Sequence, residues 1–502
     1  MARKIGISLL MFFSVTYALY EAWRIRWIAD DAYISFRYIL SFISGKGLTF
    51  NEGERVEGYT NFLWTVLLIP FRALGLDLEV VSLVLGCFFF GMLLCAFAFC
   101  VRKALSIEFA AVALLALCAH RHLQIFATSG LETMLFTFLA TTGVLLLALK
   151  HKAAATEEPE RRLAIIAFFS LALATLTRPD GAIIYAVCAG YLFVFEWRQN
   201  GPVSAARESV RNHLLSVGIL FPVLVAKSLY YGSIVPNTFY AKSASHPYLF
   251  QGIRYAALYF ESYWPLGIAL ILATVFWRIL PLIRLPVLVV VAYLSFVVFV
   301  GGDFMFARFL IPITPLLFYC SVVLLSKIAS SRARAVAFAA FVIAIVFRLD
   351  PFGGSLSRDG ITEENRLYSR SARALLRETA LSLRPALIRA NPRIAFVGAQ
   401  AAFAYYWYPL FAIESETGLT DKTIASQSIE QRGKVGHEKN ADPEYLRSRH
   451  VHIWMRPPPP GFSGPVLQMA GIPGDMGVIE EDPRIFSILT SDDRFVVDGG
   501  TH

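Results

Sequence analysis

The segment WIADDAYISFRY places two adjacent carboxylates, Asp30 and Asp31, directly after an apolar run. At a membrane surface two neighbouring carboxyls titrate as a coupled pair, and desolvation can raise one of them. That suits a general base taking a proton from an acceptor hydroxyl. Adjacent residues do not face the same way, so one suffices as base, and the other can orient Arg37, Lys242 or an ion. A helix N-terminal cap or a solvated turn also accounts for the pair taken alone. Glu57 in RVEGYTN and Glu132 in SGLET are further carboxylates, for which a surface loop and a favourable helix-dipole position are the plain alternatives. Arg178, Lys242 and Arg308 are cations at span ends, where snorkelling is the plain alternative. With Asn237, Tyr240, Asp180 and Asp303 they could hold an anionic phosphate against the bilayer. A lipid-linked phosphate is the obvious anion at that depth, its tail lying between helices rich in Phe and Leu.

Other chemistries lack their signatures. There is no P-loop, HExxH or GxSxG; GKG (45–47) lacks the Walker spacing, and the GlyGly at 301–302 is not a dinucleotide fingerprint. Chemistry without a nucleotide is expected. The six cysteines, Cys87, Cys95, Cys100, Cys118, Cys188 and Cys320, all lie in apolar runs with no CxxC pair. They read as buried small hydrophobes rather than a disulfide framework or metal ligands. No cofactor is assigned; a divalent metal could assist a leaving group, but no ligand cluster demands one.

The elements that must position these groups follow from composition. Of 502 residues, 56% are hydrophobic and only 17% charged, with a mean hydropathy of +0.56. Soluble domains carry about 25% charged residues. The balance excludes disorder and an ordinary soluble enzyme, and points to a polytopic α-helical membrane protein. The net charge of +9 does not imply nucleic acid, because membrane proteins concentrate Lys and Arg in cytoplasmic loops. The N-terminal run reads as an uncleaved first helix. Apolar spans follow at 79–101, 106–128, 131–149, 162–178, 180–197, 214–231, 263–280, 283–300, 308–327 and 333–349. Together these make about eleven transmembrane helices.

Segment 60–75 is short and interrupted by Pro70 and Arg72. If it lies on the membrane, the basic clusters all fall inside: Arg3 and Lys4, Arg102 and Lys103, Lys150 with Lys152, Arg161 and Arg162, Arg198 with Arg207 and Arg211, Arg278 and Arg284, and Lys327 with Arg332 and Arg334. If it crosses, every later loop inverts. It is therefore an expected interfacial helix within a first outer loop of 24–78. Five polar segments then share the outer face: this loop, ATSGLET (127–133), LTRPDG (176–181), IVPNTFYAKSA (234–244) and GGDFMFARFLIP (301–312). From 350 the composition turns polar, with strand-like RIAFVGAQAAFAYYW (393–407) and HVHIW (450–454) and a stiff RPPPP (456–460). The organisation expected is a membrane domain over 1–349 and an extracytoplasmic α/β domain over 350–502.

WIADDAYISFRY and GLTFNEGERVEGYTNFLW resemble the first outer loop of bacterial GT-C glycosyltransferases, where an acidic pair follows the first helix. SGLET, TRPDG, PNTFYAK, GGDFMFARFLIP, GLTDKTIAS (418–426) and VGHEK (435–439) extend the likeness in order. The chain is similar to the mycobacterial-type terminal β-(1→2) arabinofuranosyltransferase family. The resemblance implies a GT-C fold in the bacterial plasma membrane, and the charge placement above puts the N-terminus in the cytoplasm and the C-terminal domain outside. It implies inverting transfer of arabinofuranose from a polyprenyl-phosphate donor to a cell-envelope glycan or glycolipid acceptor. By the same resemblance Asp30 or Asp31 would be the base, and Lys242 and Arg308 phosphate contacts. His437 and Glu438 could contact the acceptor.

Three alternatives carry distinct signals. One is a GT-C transferase for another lipid-linked sugar, such as mannose on a glycolipid or protein. A lipid-linked glycan flippase would need ionisable residues at mid-span. Most charges here sit at span ends; His120, Arg121 and His122 are the exception and read as facing the interface. A glycan-binding scaffold would place its work in 350–502.

Overall fold

The structure is a computed structural model that describes residues 2–150, 157–242, 246–429, 432–460, 462 and 464–498. Lys152 and the Ser243-Ala244 end of IVPNTFYAKSA lie outside the described residues. Among those described, five helices are long and apolar enough to cross a membrane: Arg3–Arg24, Leu78–Ala104, Thr133–Lys150, Gly181–Tyr231 and Pro281–Val300. Leu249–Ser262 and Trp264–Phe276, bent by 109° at their junction, make a sixth if counted as one span. The protein is thus a helical, multi-pass membrane protein.

The helices depart from the expected spans in three places. The 106–128 run breaks into Ile107–Cys118 and Arg121–Phe126, because the His120 ring turns back to accept the Leu123 N–H and starts a new helix. The 180–197 and 214–231 runs are joined in Gly181–Tyr231, with the kink at Gly201, whose φ of 81° suits glycine. The 263–280 run yields only the 13-residue helix Trp264–Phe276. Segment 60–75 forms the helix Phe62–Ala73; its 12 residues span about 18 Å, too short to cross a hydrocarbon core of about 30 Å.

The C-terminal region builds a six-stranded mixed sheet. Its order is Ala412–Glu414, Ile394–Phe396, Ile453–Trp454, Met476–Val478, Val466–Met469, Phe495–Asp498. The first three strands are parallel and the remaining pairs antiparallel. Helices Arg370–Ala390, Ala401–Trp407 and Pro483–Thr490 complete the α/β arrangement. The apolar core runs without a break from the membrane helices into one face of this sheet. A smaller cluster around Ile413, Val451 and Trp454 fills the other face.

The joint between the two parts is the helix Asp30–Ile43. Asp30 accepts the N–H groups of Ala401 (2.8 Å) and Ala402 (3.1 Å), the exposed donors at the start of Ala401–Trp407. Seven residues on, and so on the same helical face, Arg37 donates to the carbonyls of Phe50 (3.1 Å), Ala404 (2.7 Å) and Pro409 (2.8 Å). Arg37 is therefore a buried strut, and the expected substrate contact is corrected. Asn51 pairs with both backbone groups of Ala412, at 2.9 Å each, and so continues the sheet edge into the first loop. Burial pushes the Asp30 carboxyl up to about 8, against the pull of its two N–H donors.

Two consequences follow for stability. Asp30→Ala is expected to lower it by about 2 kcal/mol, the upper range for a lost helix cap; an unchanged unfolding midpoint in detergent would contradict the joint. The folded carboxyl also holds its proton above the unfolded value of about 3.9. Its contribution is therefore full below about 4 and is lost as pH rises toward 8. Asp30→Asn should flatten that part of the stability–pH curve.

Candidate active site

A cleft opens at one end of the helices, and all five expected outer segments line it. The first loop supplies Asp31, Ile34, Ser35 and Gly58 to Asn61; the others bring Leu131 and Glu132, Arg178 to Asp180, Thr238 and Lys242, and Asp303 and Arg308. Helical spacing explains which acid faces it. Asp31 sits about 100° around the helix from Asp30. It therefore shares a face with Ile34 and Ser35, while Asp30 shares one with Arg37.

Arg308 is the centre of the polar floor. Its guanidinium lies 3.4 Å from Asp31, 3.5 Å from Glu132 and 3.5 Å from Asp303, three carboxylates from three different segments. All three contacts are long, and Nε is buried without a partner among the described residues. Residue 307, just before it, is an alanine with φ 66°, in the left-handed region. Arg178 is held more tightly, by Asp180 at 2.9 Å and 3.0 Å and by Glu132 at 3.3 Å, with its plane over the Phe309 ring. Tyr293 donates to Asp180 (2.5 Å), and Asn61 donates to the second Glu132 oxygen (3.1 Å) while accepting from Ser35 and Thr65.

Accessibility separates the four acids. The Asp31 side chain is 26% exposed, against 2% for Glu132, 2% for Asp303 and 7% for Asp180. Lys242 lines the cleft with no ion pair to any described residue. Beside it the wall turns apolar, through Val235, Phe239, Phe296, Val300 and Phe309.

Seven of the expected site residues are thus gathered: Asp31, Glu132, Arg178, Asp180, Lys242, Asp303 and Arg308. The others are held elsewhere. Asp30 and Arg37 fasten the C-terminal region. Glu57 is buried against Lys227 at 2.5 Å. Asn237 donates to the carbonyls of Gly418 (2.8 Å) and Leu419 (3.0 Å), a clasp onto GLTDKTIAS. The Tyr240 side chain is exposed, and its carbonyl accepts from Lys439. The turn at Gly436, φ 77°, sends His437 and Glu438 to different partners. His437 Nδ1 meets Glu416 at 3.1 Å, and Glu438 accepts from Arg432 at 2.7 Å.

Asn61 and Tyr293 went unrecognised in the sequence. Tyr293 carries the one faint signal, a hydroxyl set within the apolar run Pro281–Val300. Because Glu132 lies between two buried guanidiniums, Glu132→Ala should cost about 3 kcal/mol, the scale for breaking a buried ionic network. A thermal midpoint close to wild type would contradict this.

No protein-family model matches the sequence. A terminal β-(1→2)-arabinofuranosyltransferase of Mycobacterium tuberculosis is 30% identical over 278 residues, covering 50% of this chain and 42% of that protein. The protein of the same name from Corynebacterium glutamicum is 30% identical over 352 residues, covering 61% of this chain and 49% of that protein. The chain spans less than half the length of each of these relatives. Among solved structures, ArnT from Cupriavidus metallidurans bound to undecaprenyl phosphate superposes with a TM-score of 0.59 at 13% identity, over 83% of this chain and 87% of ArnT. The oligosaccharyltransferase AglB from Archaeoglobus fulgidus, in complex with an inhibitory peptide and a dolichol-phosphate, gives 0.55 at 11% identity, over 88% and 69%. At such identities the structural likeness is one of fold. The chain is a helical membrane protein of the GT-C fold, with sequence relatives among the terminal β-(1→2)-arabinofuranosyltransferases.

Proposed function

We propose that the protein is an inverting glycosyltransferase that moves a sugar, arabinofuranose, from a polyprenyl-phosphate donor to a cell-envelope glycan acceptor on the extracytoplasmic face. The observation that carries this reading is the cleft itself. Lys242, with no ion pair among the described residues, and a loosely held Arg308 stand beside an apolar wall, with one accessible carboxylate, Asp31, against Arg308. A phosphate on a long apolar tail matches that combination, and the sugar is suggested by the name shared by the two sequence relatives.

In this mechanism the lipid phosphate sits between Lys242 and Arg308, its tail against Phe239, Phe296 and Val300. Asp31 takes the proton of the acceptor hydroxyl. The acceptor oxygen attacks the anomeric carbon from the face opposite the phosphate, and the C–O bond to phosphate breaks with inversion. The electron pair leaves on the phosphate, where the two cations stabilise it. Glu132, Asp180 and Asp303 hold the guanidiniums in place. Among the described residues no group of three or more His, Cys, Asp or Glu is arranged to hold a metal ion. The place a cation would take among Asp31, Glu132 and Asp303 is filled by Arg308.

The same reading places the chain in the bacterial inner membrane with its N-terminus cytoplasmic. On this reading the apolar runs of the sequence make about eleven spans, and residues 350–502 form an extracytoplasmic domain.

Purified protein incubated with a panel of polyprenyl-phosphate sugars and an arabinan acceptor should yield an extended glycan by mass spectrometry. Asp31→Asn should slow transfer roughly 10²- to 10⁴-fold without lowering the unfolding midpoint. Lys242→Ala should raise the donor KM roughly tenfold, the worth of one charge-assisted contact. Full transfer by Asp31→Asn would overturn the assignment of the base.

A further inference from the structure

One carboxyl near the cleft has no part in the mechanism above. After the helix Ser331–Val346 the chain returns across the loop that carries Asp303 and Arg308. Thr362 donates to the Phe304 carbonyl (2.7 Å) and accepts from the Phe306 N–H (2.9 Å), so the returning segment is stitched to that loop. Two residues later Glu364 opens the short helix Glu364–Leu367. Its neighbour Glu363 turns away, to His122 and Arg348 at 3.6 Å each and Arg366 at 3.2 Å. Glu364 has no such ion pair among the described residues, and its Oε2 is buried without a hydrogen-bond partner among them.

The groups that bear on Glu364 come from each element around it. The first outer helix contributes Asp31 and Asp30, the loop contributes Asp303 and Arg308, and its own segment contributes Tyr368. Three carboxyls, Asp31, Glu132 and Asp303, thus contact one guanidinium, and the charges of Asp31, Asp303 and Arg308 also act on Glu364. Burial first, and then the like charges of Asp31 and Asp303, hold Glu364 up to about 8.

We infer that Glu364 is a positioning residue that sets the charge presented to the donor phosphate. Protonated, it leaves Arg308 free to meet the anion; ionised, it competes for Arg308 and repels the phosphate. This rests on the reading that the cleft takes a lipid phosphate. Because Glu364 ionises as pH rises through about 8, anion affinity should fall on the alkaline side.

The test measures binding of undecaprenyl phosphate to the full chain in detergent from pH 7.5 to 9.5. Over that range the ligand keeps a constant charge, since a phosphate monoester completes its second ionisation near 6. Wild type should lose affinity roughly five- to tenfold, the effect of one like charge across a partly screened site. Glu364→Gln, which cannot ionise, should lose less than about twofold, and Glu364→Asp should restore the fall. A thermal scan of each variant checks folding. A flat wild-type profile, or the same fall in Glu364→Gln, would overturn the inference while leaving the donor reading intact. No binding by any variant at any pH would overturn the donor reading, and this inference with it.

Discussion

One buried guanidinium organises the cleft. Arg308 draws Asp31, Glu132 and Asp303 to a common point from three segments far apart in sequence, and Arg178 ties the same Glu132 to Asp180. Such a network adds little net stability, because desolvating the charges offsets their attraction. Its effect is geometric, since the acids have no comparable arrangement in which the arginine charge is answered. The helix ends that carry them are thereby held in one register. The long Arg308 contacts, and an Nε without a partner among the described residues, leave that cation able to accept a further anion, which the tightly paired Arg178 is not.

The C-terminal region belongs to this construction. Asp30, Arg37 and Asn51 fasten it to the segment that follows the first helix, and Asn237 clasps the Gly418–Leu419 turn. Gly58 is needed for the same packing: a Cβ there would lie 2.6 Å from the Leu419 carbonyl oxygen and 2.8 Å from the Tyr38 hydroxyl. Leu419 and Val435 in turn close part of the cleft wall. The polar motifs therefore divide by task. Some face the cavity, and others hold the cavity's two halves together.

The convergence was legible in the sequence because Lys and Arg placement orients the chain, and orientation sorts the polar segments to one side. The shortness of the helix at 60–75 was legible too, from the interruption by Pro70 and Arg72. Which aspartate faces the cleft was not. That depends on what covers the other face of the helix, and the covering residues, Ala401 and Ala402, lie about 370 positions away. Asn237 and Glu57 sat in the right motifs, but their side chains serve the clasp and a buried pair with Lys227. The break at His120 was hidden because a ring-to-backbone cap leaves the average hydropathy high. Glu364 gave no local signal, since the charges that bear on it, Asp31, Asp303 and Arg308, lie more than fifty residues away in the chain.

The central claim is that this cleft binds a polyprenyl phosphate at Lys242 and Arg308. A cryo-electron microscopy structure of the protein with undecaprenyl phosphate tests it most directly. The expected density places the phosphate within hydrogen-bond distance of both cations, with Asp31 facing the position of the sugar and the lipid along Phe239, Phe296 and Val300. A lipid phosphate bound on another face of the helices, with this cleft empty, would contradict the account.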